Sequence, residues 1–158
     1  MDYLPAFLDI RGRSCLVVGG DDAAARKIAL LLRAGAHVSV QAPEFSAAFE
    51  AGLDAARVSL RMASFRAEDI EGHALVIAAT DDHAANTLVS EAAEERRIFC
   101  VRSDDATEAT AWTPAVGRHG TATVGVLGNR EPRQSATLRD DIITALRDGH
   151  LTSSGALD

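Results

Sequence analysis

The feature that most constrains the fold is a short apolar run that ends in two glycines and leads into a helical pattern. The run covers residues 14–18, and Gly19 and Gly20 end it. Across residues 22–34, apolar side chains recur at i, i+4, i+7 and i+8, which is one face of an amphipathic helix. A second apolar run follows at residues 37–41. This β-turn-α-β order predicts two parallel strands joined by a right-handed crossover.

The same alternation continues along the chain. Further strands are predicted at residues 58–62, 74–79 and 98–101, and helices at 43–52 and 82–95, with a turn or helix through 68–71. Alternating strands and helices build an open parallel sheet with helices on both faces. The sequence therefore predicts an α/β fold, a Rossmann-like doubly wound parallel sheet.

The pattern changes after Asp104. Residues 103–121 read as irregular or hairpin-like, a strand is predicted at 121–127, and a helix at 134–147. We therefore expect a Rossmann-type domain over 1–104, a small α+β lobe over 105–149 and a tail over 150–158. A lobe of about 45 residues buries too little apolar surface to be stable alone, which favours a dimer.

Composition excludes several classes of protein. The chain has 158 residues and a net charge of −7, so it lacks the basic surface of a nucleic-acid-binding protein or a polybasic membrane patch. No apolar run is long enough to span a membrane, and no export signal is visible, so we expect a cytoplasmic protein. Cys15 and Cys100 lie within predicted strands and the histidines are scattered, so no resident metal site is expected.

The glycine turn departs from the dinucleotide-binding pattern G-x-G-x-x-G/A. Residues 19–24 read Gly-Gly-Asp-Asp-Ala-Ala, so Asp21 occupies the place of the middle glycine. A carboxylate ~5 Å from a phosphate would cost roughly 3 kcal/mol at an effective dielectric constant of about 20, unless the side chain turns away. Asp21 or Asp22 is also predicted to cap the helix. Because Gln41 stands where a ribose-binding acid is expected, with Glu44 three residues later, NAD and NADP are not distinguished.

Several motifs occur together in one order and spacing. They are Leu4-Pro5 with Phe7-Leu8, the run 15–20, Arg26-Lys27, residues 77–82 with Asn86, residues 97–104, residues 111–115 and residues 135–139. In this arrangement the chain resembles the siroheme synthase dehydrogenase/ferrochelatase module from about residue 3 to residue 147.

The resemblance implies an NAD-dependent precorrin-2 dehydrogenase that forms sirohydrochlorin in siroheme biosynthesis. Many members of the family also insert Fe²⁺ to make siroheme. The family is homodimeric, and its second lobe supplies the dimer contact and part of the tetrapyrrole cleft. Residues 105–149 would take that role here.

The resemblance and the fold together indicate site residues. The shared acid corresponds by position to Asp104, the candidate general base, with Asp105 as an alternative; either could instead cap a turn. Precorrin-2 is an octacarboxylate, so guanidinium groups are expected to bind it. The candidates for this are Arg102, Arg118 and Arg130. The candidates for NAD binding are Gly19, Gly20, Asp22, Ala23, Pro43, Glu44 and Thr80.

Three departures from the family pattern leave alternatives open. Asp21 replaces a glycine, Gly128 stands where some members have serine, and residues 129–133 lack the usual Gly/Ser/Thr-rich stretch. One alternative function is a chelatase or tetrapyrrole-binding protein with a degraded NAD site. The other is a non-catalytic Rossmann sensor domain.

Overall fold

The chain divides into two compact units. The computed structural model describes residues 4–47, 49, 57–128 and 131–150. The first unit is Met1–Trp112 and the second is Thr113–Asp158. The first unit extends past Asp104 because the backbone N–H groups of Thr110 and Ala111 both donate to the carbonyl of Cys100, each at 3.0 Å. Residues 105–112 therefore pack with the sheet, although the change of pattern at Asp104 suggested an earlier boundary.

The first unit is built on a five-stranded parallel sheet. This topology and its flanking helices confirm the predicted Rossmann-like fold class. The predicted helix at 43–52 lies largely outside the described residues. The elements in chain order are β1 (Ser14–Val18), α1 (Asp22–Arg33), β2 (His37–Ala42), β3 (Val58–Met62), a 3-10 helix (Ala67–Ile70), β4 (Leu75–Ala78), α2 (His83–Glu95), β5 (Phe99–Arg102) and a 3-10 helix (Ala106–Glu108). The strands lie side by side in the order β3-β2-β1-β4-β5.

Side chains of β1 alternate between two cores, one on each face of the sheet. Cys15 and Val17 pack with Ile28 of α1, while Leu16 and Val18 pack in the cluster that includes α2. Cys15 and Cys100 are both buried free cysteines, as expected from their positions in apolar strands. The sheet therefore carries α1 and α2 on opposite faces, the arrangement that defines a doubly wound fold.

The second unit is an antiparallel hairpin packed against a helix. Strands β6 (Ala115–His119) and β7 (Ala122–Val126) form the hairpin, and α3 (Pro132–Arg147) covers it. The close packing requires Gly117, because a Cβ atom there would lie 2.6 Å from Cγ1 of Ile143. Helix α3 begins two residues before the predicted start because Pro132 occupies the first turn, where its missing N–H is tolerated.

No helix among the described residues is long and apolar enough to cross a membrane.

Candidate functional site

The carboxyl ends of β1 and β4 meet at the point where the strand order reverses. From β1 the chain proceeds to β2 on one side of the sheet, and from β4 it proceeds to β5 on the other side. In doubly wound sheets this reversal opens a crevice in which ligands bind. The turn at Gly19 follows β1 and the turn at Thr80 follows β4, so the fold brings these two predicted cofactor residues to one place.

Gly19 permits the two strand ends to approach closely. Its φ angle is +139°, and a Cβ atom at this position would lie 2.1 Å from the carbonyl oxygen of Ala79 and 3.3 Å from the amide nitrogen of Thr80. Its own N–H donates to the carbonyl of Gln41 at 2.9 Å. No side chain larger than hydrogen fits here without moving β1 away from β4.

Gly20 brings the chain after β2 against the same turn. A Cβ atom on Gly20 would lie 2.4 Å from the carbonyl oxygen of Glu44 and 2.9 Å from the ring of Phe45. The carbonyl of Gly20 also accepts the N–H of Ser46 at 3.0 Å. The predicted cofactor residues Pro43 and Glu44, both exposed, therefore belong to the segment that borders the glycine turn.

Asp21 is the N-cap of α1, as one of the two acids was predicted to be. Its side chain accepts the N–H of Ala24 at 2.9 Å, so the carboxylate is directed onto the first turn of the helix. Helix N-termini at this position in the fold are where the pyrophosphate of a dinucleotide binds. The carboxylate therefore lies at the end of α1 where a pyrophosphate would bind.

The shape of the turn fits a dinucleotide, and its charge opposes one. The strand-glycine-helix geometry at the sheet reversal is that of a pyrophosphate site, and the predicted residues Asp22 and Ala23 form the first turn of α1. Asp21 and the exposed Asp22 are both acidic. An NAD molecule bound here would be held by Gly19, Gly20 and the first-turn amides, against repulsion from Asp21.

The position expected to contact the ribose is occupied by a neutral side chain with internal partners. Gln41 is 2 % exposed, and its amide nitrogen donates to the carbonyl of Ser64 and to Oδ2 of Asp69, each at 2.8 Å. Burial opposes ionisation of Asp69, but hydrogen bonds from Gln41 and Arg61 outweigh it, and the pKa of the carboxyl is lowered. Gln41 therefore anchors the chain that follows β3.

The turn after β4 is fixed by Asn86. Its Oδ1 accepts the Thr80 N–H at 3.1 Å and the Thr80 hydroxyl at 2.9 Å, and its Nδ2 donates to the Thr80 carbonyl at 2.9 Å. Asn86 is fully buried. The side chain of Asp82 caps α2 by accepting the N–H groups of Ala84 and Ala85. These hydrogen bonds therefore hold the backbone in place at His83, the first residue of α2.

Arg102, at the end of β5, has its guanidinium group fully buried among side chains of this chain. Nε and Nη2 donate to the two carboxylate oxygens of Asp104 at 3.1 and 2.7 Å. Nη1 donates to the hydroxyls of Thr87 and Ser90 and to the carboxylate of Glu108. These contacts give no support to the prediction that Arg102 binds substrate, because its donors are committed within the protein.

Asp104 is held as an anion and contacts a histidine. Its Oδ2 lies 2.9 Å from Nδ1 of His83, and its side chain is 22 % exposed. The hydrogen bonds from Arg102 hold the pKa of this carboxyl well below its ordinary value despite the opposing effect of burial, and Asn86 and His83 lower it further. A carboxylate of this kind is a weak proton acceptor and a strong hydrogen-bond acceptor.

The remaining predicted residues have different surroundings. Asp105 caps the 3-10 helix Ala106–Glu108 by accepting the N–H and hydroxyl of Thr107, each at 2.7 Å, which is the alternative structural role considered for it. Arg118 is exposed on β6 of the second unit. Arg130 lies outside the described residues. Among the residues that the structure describes, no group of three or more His, Cys, Asp or Glu could hold a metal ion.

His83 and Glu108 belong to this cluster but were not predicted from the sequence. His83 is separated from Asp104 by twenty-one residues and joins it only because β4 and β5 are neighbours. One usable signal for His83 was its place at the start of a helix that follows a buried strand, since such positions lie at the ligand-binding edge of the sheet.

Residues 6–115, more than half of the chain, match a protein family described as putative NAD(P)-binding. The chain belongs to this family. The description agrees with the predicted NAD cofactor.

Relatives of this chain include siroheme synthases. The chain is 40 % identical over 147 residues to siroheme synthase 2 of Klebsiella pneumoniae, which covers 92 % of this chain and 32 % of the relative. It is 41 % identical over 152 residues to siroheme synthase 2 of Cronobacter sakazakii, covering 96 % of this chain and 33 % of the relative. The chain thus spans about a third of the length of these relatives. The predicted resemblance to the siroheme synthase module is confirmed.

A solved structure shares the fold. The protein named SirC, precorrin-2 dehydrogenase, superposes with a TM-score of 0.73 at 24 % sequence identity, covering 90 % of this chain and 70 % of that chain. The family's fold class is therefore the one predicted from the alternation of strands and helices.

Proposed function

We propose that this protein oxidises precorrin-2 to sirohydrochlorin with NAD⁺ as hydride acceptor, in siroheme biosynthesis. The observation that carries the proposal is the layout of the carboxyl edge of the sheet. The glycine turn after β1 and the Asp104 cluster after β5 lie on the same edge of the sheet, and the turn at Thr80, after β4, lies between them. The names of the siroheme synthase relatives and of the SirC structure support the same activity.

The chemistry divides between the cofactor and the chain. The bound dinucleotide would supply the hydride acceptor, and the substrate must also lose a proton. Gly19, Gly20 and the first turn of α1 would position the pyrophosphate, and Thr80 would border the crevice. Asp104 is the residue that the sequence predicts at the proton-transfer step, and its ion pair with Arg102 keeps it charged and fixed in place.

The substrate's carboxylates need cationic partners outside the Arg102 cluster. Arg118 is exposed on β6, and a guanidinium group can bind a carboxylate with two parallel hydrogen bonds. Arg118 and Arg130 therefore remain our candidates for substrate binding. Arg118→Ala is expected to raise the KM for precorrin-2 with little change in kcat, whereas equal KM values would remove Arg118 from the site.

We infer that the protein is a homodimer through its second unit. Within the described part of that unit, Val126 and Ile143 are the buried apolar side chains, while Leu127 and Leu138 are 46 % and 50 % exposed. Two buried side chains contribute only a few kcal/mol at about 1.5–3 kcal/mol each, which is little for an independent unit. Sedimentation should give a dimer for the wild type and a monomer for Leu138→Glu. A monomeric wild type would contradict this inference.

We also propose that the protein is cytoplasmic and that it inserts Fe²⁺ into sirohydrochlorin. The two buried free cysteines fit the reducing conditions of the cytoplasm. Fe²⁺ would be a substrate, inserted into sirohydrochlorin after the proton-transfer groups at the sheet edge remove the ring N–H protons.

A chelatase or tetrapyrrole-binding protein without an NAD site is the second candidate. It is favoured by one observation, the Asp21 carboxylate on the first turn of α1. Calorimetric titration with NAD⁺ distinguishes the two candidates. Submillimolar binding to the wild type supports the dehydrogenase, and binding that appears only after Asp21→Gly supports the second candidate.

A further inference from the structure

His83 lies at the sheet edge with one ring nitrogen held and the rest of the ring open to solvent. Nδ1 is 2.9 Å from Oδ2 of Asp104, and the side chain is 64 % exposed. Nε2 makes no hydrogen bond to any residue in the described part of the chain. Imidazole is the side chain that most often transfers protons near neutral pH. The arrangement is that of a histidine oriented by a carboxylate.

The carboxylate that orients His83 is itself immobilised. Arg102 binds both oxygens of Asp104 while its own Nη1 is fixed by Thr87, Ser90 and Glu108. Glu108 belongs to the 3-10 helix after β5, so the support comes from both sides of the arginine. Each side chain in this series restricts the next, and the last of them is the exposed imidazole ring.

The backbone of His83 is fixed independently of its ring. Its carbonyl accepts the hydroxyl of Thr87 at 3.0 Å, and Asn86 fixes the preceding turn through Thr80. His83 is therefore constrained both at the main chain and at Nδ1.

The contacts of Nδ1 favour one tautomer. A carboxylate can only accept, so the 2.9 Å contact with Asp104 requires a proton on Nδ1. The guanidinium Nη2 of Arg102, which can only donate, lies further from Nδ1, at 3.2 Å, and already donates to Asp104 at 2.7 Å. With the proton on Nδ1, the lone pair of Nε2 is exposed and able to accept a proton.

We propose that His83 is the residue that accepts the substrate's proton during dehydrogenation, and that Asp104 and Arg102 are positioning residues for it. The proposal rests on the proposed function. One C–H bond of the substrate breaks, and its hydrogen passes with the electron pair, as a hydride, to the dinucleotide. The substrate loses a second hydrogen as a proton to Nε2, which makes His83 an imidazolium cation. The imidazolium then returns the proton to water.

His83 suits this role better than Asp104 does. Both carboxylate oxygens of Asp104 accept hydrogen bonds from Arg102, and Oδ2 also accepts one from His83, so accepting a proton would break charge-assisted hydrogen bonds. Proton acceptance by Nε2 breaks none of these contacts, and it places the new positive charge beside the carboxylate.

The kinetic test compares two exposed histidines. His83→Ala should lower kcat at saturating NAD⁺ and precorrin-2 by about 10²–10⁴-fold, and added imidazole should restore part of it. His37→Ala is the matched control, because His37 begins β2 at the opposite edge of the sheet and should keep wild-type kcat. An unchanged kcat in His83→Ala, or a loss that imidazole does not restore, would overturn the proposal. A wild type that does not turn over defeats the proposed function and this proposal together.

A spectroscopic test does not depend on turnover. The ¹⁵N chemical shifts of the His83 ring should show the proton on Nδ1 in the wild type. In Asp104→Asn, the amide oxygen should accept from Arg102 and leave the NH₂ group to donate to Nδ1, which moves the His83 proton to Nε2. Finding the proton on Nε2 in the wild type, or an unchanged tautomer in Asp104→Asn, would overturn the positioning role of Asp104.

Discussion

Replacing Asp21 by asparagine is expected to tighten NAD⁺ binding without weakening the fold. The Asp21 carboxylate accepts the N–H of Ala24 at 2.9 Å and so lies at the end of α1 where a pyrophosphate would bind. At ~5 Å and an effective dielectric constant of about 20, the repulsion is roughly 3 kcal/mol, or about a hundredfold in affinity. Solvent and salt screening make this an upper limit.

The asparagine substitution separates charge from helix capping. Asparagine caps a helix about as well as aspartate, so the free energy of unfolding should change by less than about 0.5 kcal/mol, whereas Asp21→Ala should cost about 1 kcal/mol. The Asp21→Asn variant therefore tests electrostatic repulsion alone. Asp22→Asn is the matched control, because Asp22 is exposed in the same turn and is not the N-cap.

Calorimetric titration with NAD⁺ at low and high salt is the appropriate assay. The dissociation constant of Asp21→Asn should fall by between tenfold and a hundredfold at low ionic strength, and by clearly more than that of Asp22→Asn. The gain should shrink near 1 M salt, where the screening length is about 3 Å. Equal dissociation constants for the wild type and Asp21→Asn at low salt would refute the placement of a phosphate at this turn.

Three further expectations concern the fold and its polar cluster. Gly19→Ala should cost at least about 4 kcal/mol of unfolding free energy in urea titrations, because the added Cβ would meet the Ala79 carbonyl at 2.1 Å. Gly72→Ala is the control and should cost only about 1–2 kcal/mol, because Gly72 has φ +78° and no atom nearby. Equal costs for the two substitutions would contradict the steric clash at Gly19. The pKa of Asp104 is lower in the folded state than in the unfolded chain, so ionised Asp104 stabilises the fold above about pH 4 and this stabilisation is lost as the pH falls further. Thermal denaturation of Asp104→Asn should therefore be less sensitive to acid than that of the wild type. Parallel acid profiles for the two proteins would contradict the lowered pKa. Arg102→Met should destabilise the protein by about 1.5–3 kcal/mol in the same urea assay, because it removes hydrogen bonds to charged groups, and a neutral effect would mean that the buried cluster contributes little.

Periodicity and glycine placement were sufficient to predict most of the first unit. The predicted strand at 14–18 and the helix that begins at Asp22 match the structure because both signals are local: an apolar run ended by glycine, and an N-cap followed by one apolar face. The unit boundary was harder to place. The pattern changes at Asp104, but the structural boundary lies after Trp112, since it depends on hydrogen bonds from Thr110 and Ala111 back to Cys100.

The roles of the polar residues depended on contacts that the sequence does not display. Arg102 was predicted to bind substrate and Asp104 to act as the general base, and the ion pair between them was not foreseen. The burial of Arg102 depends on Thr87 and Ser90 of α2, which reach it only in the folded chain. His83 joins the cluster for the same reason. Long-range packing, rather than any local pattern, therefore determines which partners the Arg102 guanidinium contacts within the protein.

The most direct test of the proposed dehydrogenase activity is to mix the purified full chain with NAD⁺ and precorrin-2 and to record the NADH and sirohydrochlorin absorbances together. We expect both products to form at the same rate and in equal amounts, and neither to form when NAD⁺ is omitted. Folded protein that binds precorrin-2 but releases no NADH, in the wild type and also in Asp21→Asn, would contradict the proposed dehydrogenase activity.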